Sequence, residues 1–426
     1  MSRTRPRLPL TPIAEGRVVF RGATLVDSET DAPLPESEVE VQDGVVRYVG
    51  PRREGSIDDG VRVVDLTGAW LTPGFVDVHV HLAMVPTAVE RQRAWFAEES
   101  VLAVAAQLRA TLEAGVTTAR DLDGLTPGYR QAIECGTAVG PRLHLAVSML
   151  SPTGGHADPV LPNGSMPAWA IRPEMPEPGV VDTDDDVIRA VRRLIRMGAD
   201  VIKVSASGGS GSPTDAPEDT GITEEQVRLI RRLADERGGL PITAHALTDA
   251  AARAAVRGGA SVIEHGYDLS DATIDLMREH DTVLVPTLST LMRDIGQGVT
   301  AERRHERENM RRRGMDSIRR AIAAGVPVAL GTDAGVVPHG RNLGELAWLI
   351  EAGLTPEAAL HAGTMAGARV LGIEDRVGSV AVGKMADFVV TDTDPLTSLD
   401  RLCEPDAMRM VVQSGRVVVD RDRRAG

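Results

Sequence analysis

The chain has 426 residues, of which 42% are hydrophobic and 25% charged, as is usual for a soluble globular protein. Its net charge is −14, with 61 acidic against 47 basic side chains, which argues against nucleic acid as a partner because phosphate binding needs a basic face. Aromatic residues make up only 3%, so a site built on aromatic stacking is not expected.

The two cysteines, Cys135 and Cys403, are far apart in sequence. They form neither a disulfide framework nor a thiolate metal site, and they fit a reducing compartment. Residues 1–13 lack the apolar core of a signal peptide. No run of about 18 apolar residues occurs, so no membrane span is expected. We therefore expect a cytoplasmic protein with no membrane partner.

Both ends of the chain have the pattern of short β-strands. Residues 16–66 alternate apolar runs with glycine-containing breaks, and Asp43-Gly44 is a hairpin signal. The segment 386–419 has the same pattern, with a turn at Gln413-Ser414-Gly415. These patterns predict one small β-sandwich domain formed by residues 1–70 and 373–426.

Residues 71–372 alternate strand-like runs with helical patterns. The runs cover residues 71–81, 116–121, 142–147, 201–205, 241–245, 261–265, 283–287 and 326–333. The helical patterns at 182–197 and 223–237 each begin with capping-type residues and stop at glycine. Eight strands alternating with helices predict an α/β fold, a (β/α)8 TIM barrel.

Two segments interrupt this regular alternation. Residues 150–181 are rich in proline and glycine, and a long loop in a compact domain is often a lid or a binding loop. Residues 303–313 are dense in arginine and glutamate, which indicates a solvated helix face with ion pairs four residues apart. We assign no function to the second segment from its sequence.

Polar residues occur where the predicted strands end, which is where active sites of this barrel lie. They are His79, His81, Lys203, His245, His265 and Asp333. His79 and His81 are two apart in a strand and so face the same side, and imidazole is a common ligand of zinc and related metals.

Each of these residues alone has an ordinary explanation. A histidine can be a hydrogen-bonded core residue, Lys203 can extend to the barrel mouth or form a Schiff base, and Asp333 can cap a turn. A charged group at the end of a buried strand costs free energy unless it is paired or binds a metal. Because all of them fall at the same edge, the set predicts a metal site.

The sequence resembles the amidohydrolase superfamily of metal-dependent hydrolases. The resemblance is carried by Pro73-Gly74-Phe75-Val76-Asp77-Val78-His79-Val80-His81, by Lys203, His245 and His265, by Leu330-Gly331-Thr332-Asp333, and by Gly383-Lys384-Met385-Ala386-Asp387. It covers nearly the whole chain and implies a binuclear site for divalent metal, usually zinc.

The resemblance also implies a role for each ligand. His79 and His81 bind the more buried metal, and His245 and His265 bind the second. Lys203, as a carbamate formed with carbon dioxide, bridges the two metals. Asp333 binds the first metal and accepts the proton of the bridging water that attacks the substrate, so it is the expected general base and acid.

Finer motifs resemble the prolidase-like, imidazolonepropionase-related branch. They include Gly115-Val116-Thr117-Thr118-Ala119-Arg120-Asp121, Ser151-Pro152-Thr153-Gly154-Gly155-His156 and Pro338-His339-Gly340-Arg341-Asn342. This branch cleaves amide bonds of Xaa-Pro or Xaa-Arg/Lys dipeptides and of N-acyl amino acids such as ochratoxin. The resemblance therefore implies a small-molecule substrate with a hydrolysable C–N bond.

The expected substrate-binding residues come from the loops. His156 would hold the scissile carbonyl oxygen or a substrate carboxylate, or else is a solvated loop histidine. Arg120 would pair with a substrate carboxylate, or form a salt bridge with Asp121 or Asp123. For His339 and Asn342 a substrate contact and a plain loop role are both open.

The chain departs from the branch pattern in one place. Many dipeptidases carry an aromatic residue before the helix that follows the lysine strand, where this chain reads Asp219-Thr220-Gly221-Ile222-Thr223. Tyr267 either replaces that residue or only packs.

Hydrolysis of a cyclic amide, as in imidazolonepropionase, is the alternative reaction. Deamination is less favoured, because deaminases of the superfamily usually use one metal and lack the lysine. A non-catalytic barrel would lack ligands, and none is missing. Whether the protein forms a homo-oligomer is left open.

Overall fold

The computed structural model describes residues 11–30, 32–54, 58, 60–85, 95–166, 176–210, 215–296, 300–404 and 406–421. Its strands are β1 Arg17–Arg21, β2 Thr24–Leu25, β3 Ser37–Gln42, β4 Val45–Pro51, β5 Arg62–Asp65, β6 Trp70–Pro73, β7 Phe75–Val80, β8 Val116–Asp121, β9 Arg142–Leu145, β10 Met149–Ser151, β11 Gly179–Val180, β12 Ile202–Ser205, β13 Ile242–Ala246, β14 Val262–His265, β15 Val283–Val285, β16 Phe388–Thr391, β17 Met410–Gln413 and β18 Arg416–Asp420.

The helices lie mainly between the strands of the middle region. They are α1 Ala97–Glu113, α2 Pro127–Glu134, α3 Asp184–Met197, α4 Glu224–Asp235, α5 Asp249–Gly258, α6 Asp271–Glu279, α7 Leu288–Leu291, α8 Ala301–Ala323, α9 Gly344–Glu351, α10 Pro356–His361 and α11 Gly367–Leu371. Across the ranges given above, no helix is both long and apolar enough to cross a membrane. The fold is mixed α/β, as the alternating pattern predicts.

The two chain ends form two sheets, with strand orders β4-β3-β1-β5 and β18-β17-β16-β6-β2. Asp43 and Gly44 have φ values of 50° and 74°, which a two-residue hairpin turn between β3 and β4 requires. Both sheets contribute to one buried apolar cluster, in which the rings of Phe20 and Phe388 meet edge to face at 4.8 Å. This contact brings the N-terminal and C-terminal strands together.

The middle region contains two parallel sheets, β7-β8-β9 and β11-β10-β12-β13-β14-β15. The predicted third strand, 142–147, ends at Leu145, and the separate strand β10 follows it. Val147 between them has a φ of 72° that a β-branched residue rarely adopts, so the two strands are not continuous. β9 pairs with β8, whereas β10 pairs with β12. The helices begin as predicted: Thr183 and Thr223 form capping boxes at the starts of α3 and α4.

The predicted eighth strand, 326–333, is not a regular strand. Val328 makes an isolated bridge with β15, and Ala334 makes another with the end of β7. Pro327 has no N–H to donate, and Asp333 has a φ of 57°, so the segment forms no continuous ladder with either neighbour. Backbone hydrogen bonds still join it to both, from Leu284 N to Pro327 O at 2.8 Å and from Val78 N to Leu330 O at 3.0 Å. The described strands therefore form two sheets linked through this segment, and the closed barrel stays a prediction.

A buried ion pair joins the chain ends to the middle region. Arg142, the first residue of β9, forms a two-pronged contact with the Asp387 carboxylate, and both residues are almost fully buried. Ser414 Oγ accepts a further hydrogen bond from Arg142 at 2.5 Å. The pair is well satisfied, so removing one partner would leave an uncompensated buried charge.

Candidate metal centre

The six predicted ligands lie at the carboxyl ends of the parallel strands or directly after them. His79 is in β7, Lys203 in β12, His245 in β13 and His265 in β14. Adjacent strands are in register, with Ser205 opposite His245 and Ala246 opposite His265. All six side chains belong to buried residues, so their polar atoms face one another rather than solvent.

His79, His81 and Asp333 form a compact group of donor atoms. His79 Nε2 lies 3.3 Å from His81 Nε2, and Asp333 Oδ1 lies 3.5 Å and 3.3 Å from these nitrogens. One ligand atom from each residue falls within 4.8 Å of the others. Two imidazole nitrogens and a carboxylate oxygen at this spacing are a ligand set for zinc and related divalent metals.

The other two strand-end histidines extend this group. The ring of His265 lies 5.2 Å from that of His79, and the ring of His245 lies 4.5 Å from that of His265. His265 Nδ1 is 2.7 Å from Thr287 Oγ1, which holds the ring orientation. The residues predicted to bind two metals therefore form one continuous cluster.

Lys203 has the least usual environment in the cluster. Its side chain is buried, and its Nζ has no hydrogen-bond partner among the described residues. Burial lowers the pKa of Lys203 to about 8, with the charge of Arg120 acting in the same direction and those of Glu264 and Asp333 against it. A buried amine without a partner is costly, and conversion to an anionic metal ligand would remove that cost.

Three of the four histidines favour the neutral form that binds metal, namely His79, His245 and His265. Burial would lower the pKa of His81, but its hydrogen bond with Asp333 and the charge of that carboxylate raise it instead. Burial lowers the pKa of His79 to about 4, and it holds the pKa values of His245 and His265 well below their usual range. Burial alone would raise the pKa of Asp333, but the hydrogen bond from His81 and the nearby histidines outweigh it and lower the pKa. Neutral imidazoles and an ionised carboxylate are the forms that bind metal.

Glu264 orients His79 through a hydrogen bond within the metal centre. Its Oε2 accepts from His79 Nδ1 at 2.8 Å, and its Oε1 accepts from Arg120 Nη2 at 2.7 Å and from the hydroxyl of Thr243. Burial would raise the pKa of Glu264, but the positive charges of Arg120 and Lys203 and the hydrogen bond from His79 lower it instead. The carboxylate fixes the His79 tautomer with Nε2 free for a ligand.

Asp77 orients the opposite side of the centre. It accepts hydrogen bonds from the His79 amide, the Thr332 amide and hydroxyl, and Asn342 Nδ2. These contacts tie the end of β7 to the segment that carries Asp333. Burial raises the pKa of Asp77 to about 6, with its hydrogen bonds acting against burial.

Unusual backbone angles occur at the ligands themselves. His265 and Asp333 have φ values of 75° and 57°, in the left-handed region that non-glycine residues seldom adopt. Gly331 permits a close approach, because a Cβ there would lie 2.7 Å from the Cβ of His79. Strain and close packing are therefore concentrated where the donor atoms converge.

The structure places His156 at the cluster. Its ring stacks on that of His245 at 4.2 Å, and its Nδ1 lies 3.2 Å from Asp215 Oδ2. A Cβ at Gly209 would lie 2.1 Å from the His156 ring, so only glycine fits beneath it. The side chain keeps 28% of its exposure, which leaves it accessible to a substrate.

Arg120 is placed differently from the predicted substrate contact. It is 1% exposed, its Nε donates to Val78 O at 2.5 Å, and it pairs with Glu264 rather than with Asp121 or Asp123. Because Arg120 is buried and paired within the protein, its predicted contact with a substrate carboxylate stays a prediction. The geometry makes Arg120 a support of Glu264.

Tyr267, His339 and Asn342 are also buried with internal partners. Tyr267 donates its hydroxyl to Thr287 O at 3.0 Å, and Asn342 donates to Asp77. His339 Nδ1 lies 3.1 Å from the hydroxyl of Thr111, and its Nε2 lies 3.3 Å from His81 O. These contacts orient the site's framework, and a substrate contact for these three residues stays a prediction.

Sequence reasoning missed several supporting residues. Glu264 is not among the predicted site residues, although an acid within the apolar strand Val262–His265 is itself a signal of a paired buried charge. Asp215 and Thr287 lie in loops, where a short polar residue gives no distinctive pattern. Part of the 150–181 loop, residues 167–175, lies outside the described residues.

A model of the amidohydrolase family matches residues 70–418. The chain belongs to the amidohydrolase family. It is 28% identical over 436 residues to an ochratoxinase from Aspergillus niger, covering 97% of this chain and 89% of that one. The matched region contains all six ligands of the candidate centre.

Solved structures of other proteins are similar over nearly the whole amidohydrolase chain. A crystal structure of an amidohydrolase has a TM-score of 0.84 and 34% identity, covering 95% of this chain and 99% of that one. A crystal structure of a prolidase in complex with N-methylphosphonate-L-proline has a TM-score of 0.85 and 30% identity, covering 95% and 100%.

Proposed function

We propose that this amidohydrolase cleaves the amide C–N bond of a small dipeptide or N-acyl amino acid at a centre of two divalent metal ions. The main support for this proposal is the cluster of donor atoms from His79, His81 and Asp333, together with the buried amine of Lys203, which has no partner among the described residues. The similarity to a prolidase and to an ochratoxinase supports the substrate class.

The donor set fits two zinc ions. His79, His81 and Asp333 would hold one, His245 and His265 the other, and Lys203 as a carbamate would supply oxygens to both. When bound, such ions lower the pKa of a water and polarise a carbonyl. The orphaned Nζ of Lys203 supports this assignment, because a neutral amine forms a carbamate with carbon dioxide by releasing a proton.

The chain's own side chains carry the proton transfers. Asp333 is ionised and takes a proton from the attacking water, then gives it to the nitrogen that leaves. His156, stacked beside His245, is placed to hold the carbonyl oxygen as negative charge develops on it. The products are a carboxylic acid and a free amine, so atoms and protons balance.

We also propose the complete architecture that the family implies. The two parallel sheets and the segment 326–333 would form one (β/α)8 barrel over residues 71–372, and the two end sheets a β-sandwich from residues 1–70 and 373–426. The shared apolar cluster of the end sheets supports the second part. A cytoplasmic location and a small-molecule partner complete the proposal.

A product screen by mass spectrometry tests this function. Zinc-reconstituted protein and Asp333→Asn are incubated with pooled dipeptides, N-acyl amino acids and small lactams. Free amino acids formed only by the unmutated protein would support the proposal and identify the side chain. Ring-opened lactams beside intact dipeptides would favour the imidazolonepropionase-like reaction instead, and no turnover by the zinc-loaded protein would contradict both.

A further inference from the structure

Helix α8 does not expose all of its arginines to solvent, because the side chains of Arg307 and Arg311 make hydrogen bonds within the protein. Arg307 Nη2 donates to Thr290 O at 2.6 Å and to Leu291 O at 3.3 Å, and its Nη1 donates to Ser210 Oγ at 3.2 Å. Arg311 donates to main-chain carbonyls of the same segment, including Leu291 O at 3.3 Å. Both side chains are only partly exposed.

These contacts place Arg307 at the edge that carries the metal centre. Ser210 lies in the loop that follows the Lys203 strand. The hydroxyl of Thr290 donates to Thr332 O at 3.2 Å, one residue before Asp333. Arg307 therefore joins the loop after the Lys203 strand to α7, which contacts the segment that carries Asp333, and the charge of Asp333 acts on it.

Asp333 acts on Arg307 through its charge, but the positive charge at this position has no ion-pair partner among the described residues. No described carboxylate forms an ion pair with Arg307, Arg311 or Arg293. Burial lowers the pKa of Arg307 to about 10, and the positive charges of Arg293 and Arg311 act in the same direction. Keeping several partly buried positive charges together without a negative partner costs free energy, and a bound anion would offset that cost.

We propose that Arg307 binds the free carboxylate of the substrate, with Arg293 and Arg311 adding positive charge. This inference rests on the proposed function and narrows it. The protein would select N-acyl amino acids and dipeptides over amides of the same shape that lack a carboxylate. A guanidinium suits this role because it has five N–H donors, so donors remain after the hydrogen bonds to Thr290, Leu291 and Ser210.

The competing explanation is structural, because Arg307 and Arg311 also satisfy carbonyls at the end of α7. Paired substrates separate the two roles. Hydrolysis of N-acetyl-L-amino acids and of their C-terminal carboxamides is measured with the zinc-loaded wild type, Arg307→Gln and Arg307→Lys. Arg312→Gln is the control, since Arg312 lies on the same helix, is exposed and bonds only Asn309.

For the N-acetyl-L-amino acid, which has a free carboxylate, Arg307→Gln should raise KM by about 10- to 100-fold, because a charged hydrogen bond is lost. For the carboxamide it should change KM by less than about threefold. Arg307→Lys should be intermediate, because lysine keeps the charge without the planar donors. An equal change for both members, or no change for either, would overturn the inference.

Direct binding keeps this test separate from the proposed function. Calorimetry with N-acetyl-L-proline and N-acetyl-L-prolinamide needs no turnover. A preference for the carboxylate that disappears in Arg307→Gln, with thermal stability retained, would support the inference even if no amide is hydrolysed. Equal binding of both probes by the wild type, or no binding of either, would contradict it.

Discussion

His79 donates through Nδ1 to Glu264 Oε2 over 2.8 Å, and this hydrogen bond joins β7 to β14 inside the centre. The contact leaves Nε2 of His79 directed at His81 and Asp333. A ligand histidine oriented by a carboxylate is held in the correct tautomer before the metal arrives.

Glu264→Gln should therefore weaken metal binding by about 10- to 100-fold while leaving the fold intact. Competition with a zinc-binding dye measures the affinity, and circular dichroism checks the fold. Glu225→Gln is a matched control, since Glu225 is exposed at the start of α4. Unchanged zinc affinity in Glu264→Gln would show that His79 needs no carboxylate partner.

Lys203→Ala should lose most of the activity and part of the bound zinc, because the proposed carbamate supplies oxygens to both ions. A short carboxylic acid such as acetate should restore some activity by occupying the vacated space. With ¹³C-labelled bicarbonate, the wild type should give a carbamate signal in NMR that Lys203→Ala lacks. A wild-type protein that is active and gives no such signal would contradict the carbamate.

The Arg142–Asp387 pair should dominate the attachment of the chain ends to the middle region. Arg142→Met should lower the free energy of unfolding by about 3–5 kcal/mol, because Asp387 remains as a buried unpaired charge. Urea denaturation measures the loss, and Arg189→Met at an exposed ion pair should cost less than about 1 kcal/mol. Adding Asp387→Leu to Arg142→Met should recover part of the stability, and no recovery would argue against this explanation.

Glu345 should make stability depend on pH. Its carboxylate accepts from the Leu288 and Ser289 amides at the start of α7, and burial raises its pKa to about 7 from the model-compound value of 4.5. A raised folded-state pKa means that the folded protein holds the proton more tightly. The stabilising contribution is complete below pH 4.5 and is lost as the pH rises through 7.

The wild type should therefore lose about 3 kcal/mol more than Glu345→Gln between these pH values, at about 1.4 kcal/mol per pKa unit. Urea denaturation of both proteins across this range gives the difference. Glu351→Gln, an exposed position in the same region, should follow the wild type. Parallel curves for the wild type and Glu345→Gln would contradict the raised pKa.

The sequence predicts the alternating α/β order, because apolar runs mark the strands. It also singles out His79, His81 and Asp333, whose donor atoms converge in the structure, because polar residues follow those runs. Helix starts such as Thr183 and Thr223 are also predictable, since capping depends on residues three apart. The segment 326–333 is less predictable. Its apolar residues fit a strand, but Pro327 and the positive φ of Asp333 prevent a regular ladder.

Contacts across long sequence separations were not predictable. Arg120 was expected either at a substrate carboxylate or in a salt bridge with Asp121 or Asp123, whereas it pairs with Glu264, 144 residues away. Arg307 was expected in solvent, because the charges of 303–313 show no apolar face that would turn it inward. Which loop carbonyls a side chain meets depends on tertiary packing, and neither periodicity nor composition contains that information.

The most direct test of the central claim is amide hydrolysis measured against zinc bound per chain. The protein is stripped with a chelator, zinc is returned in steps, and product and bound zinc are measured in parallel. We predict no hydrolysis without metal and a recovery of hydrolysis as the sites fill with zinc. Asp333→Asn should show no hydrolysis at any zinc level. Full hydrolysis by the metal-free protein would contradict the proposal.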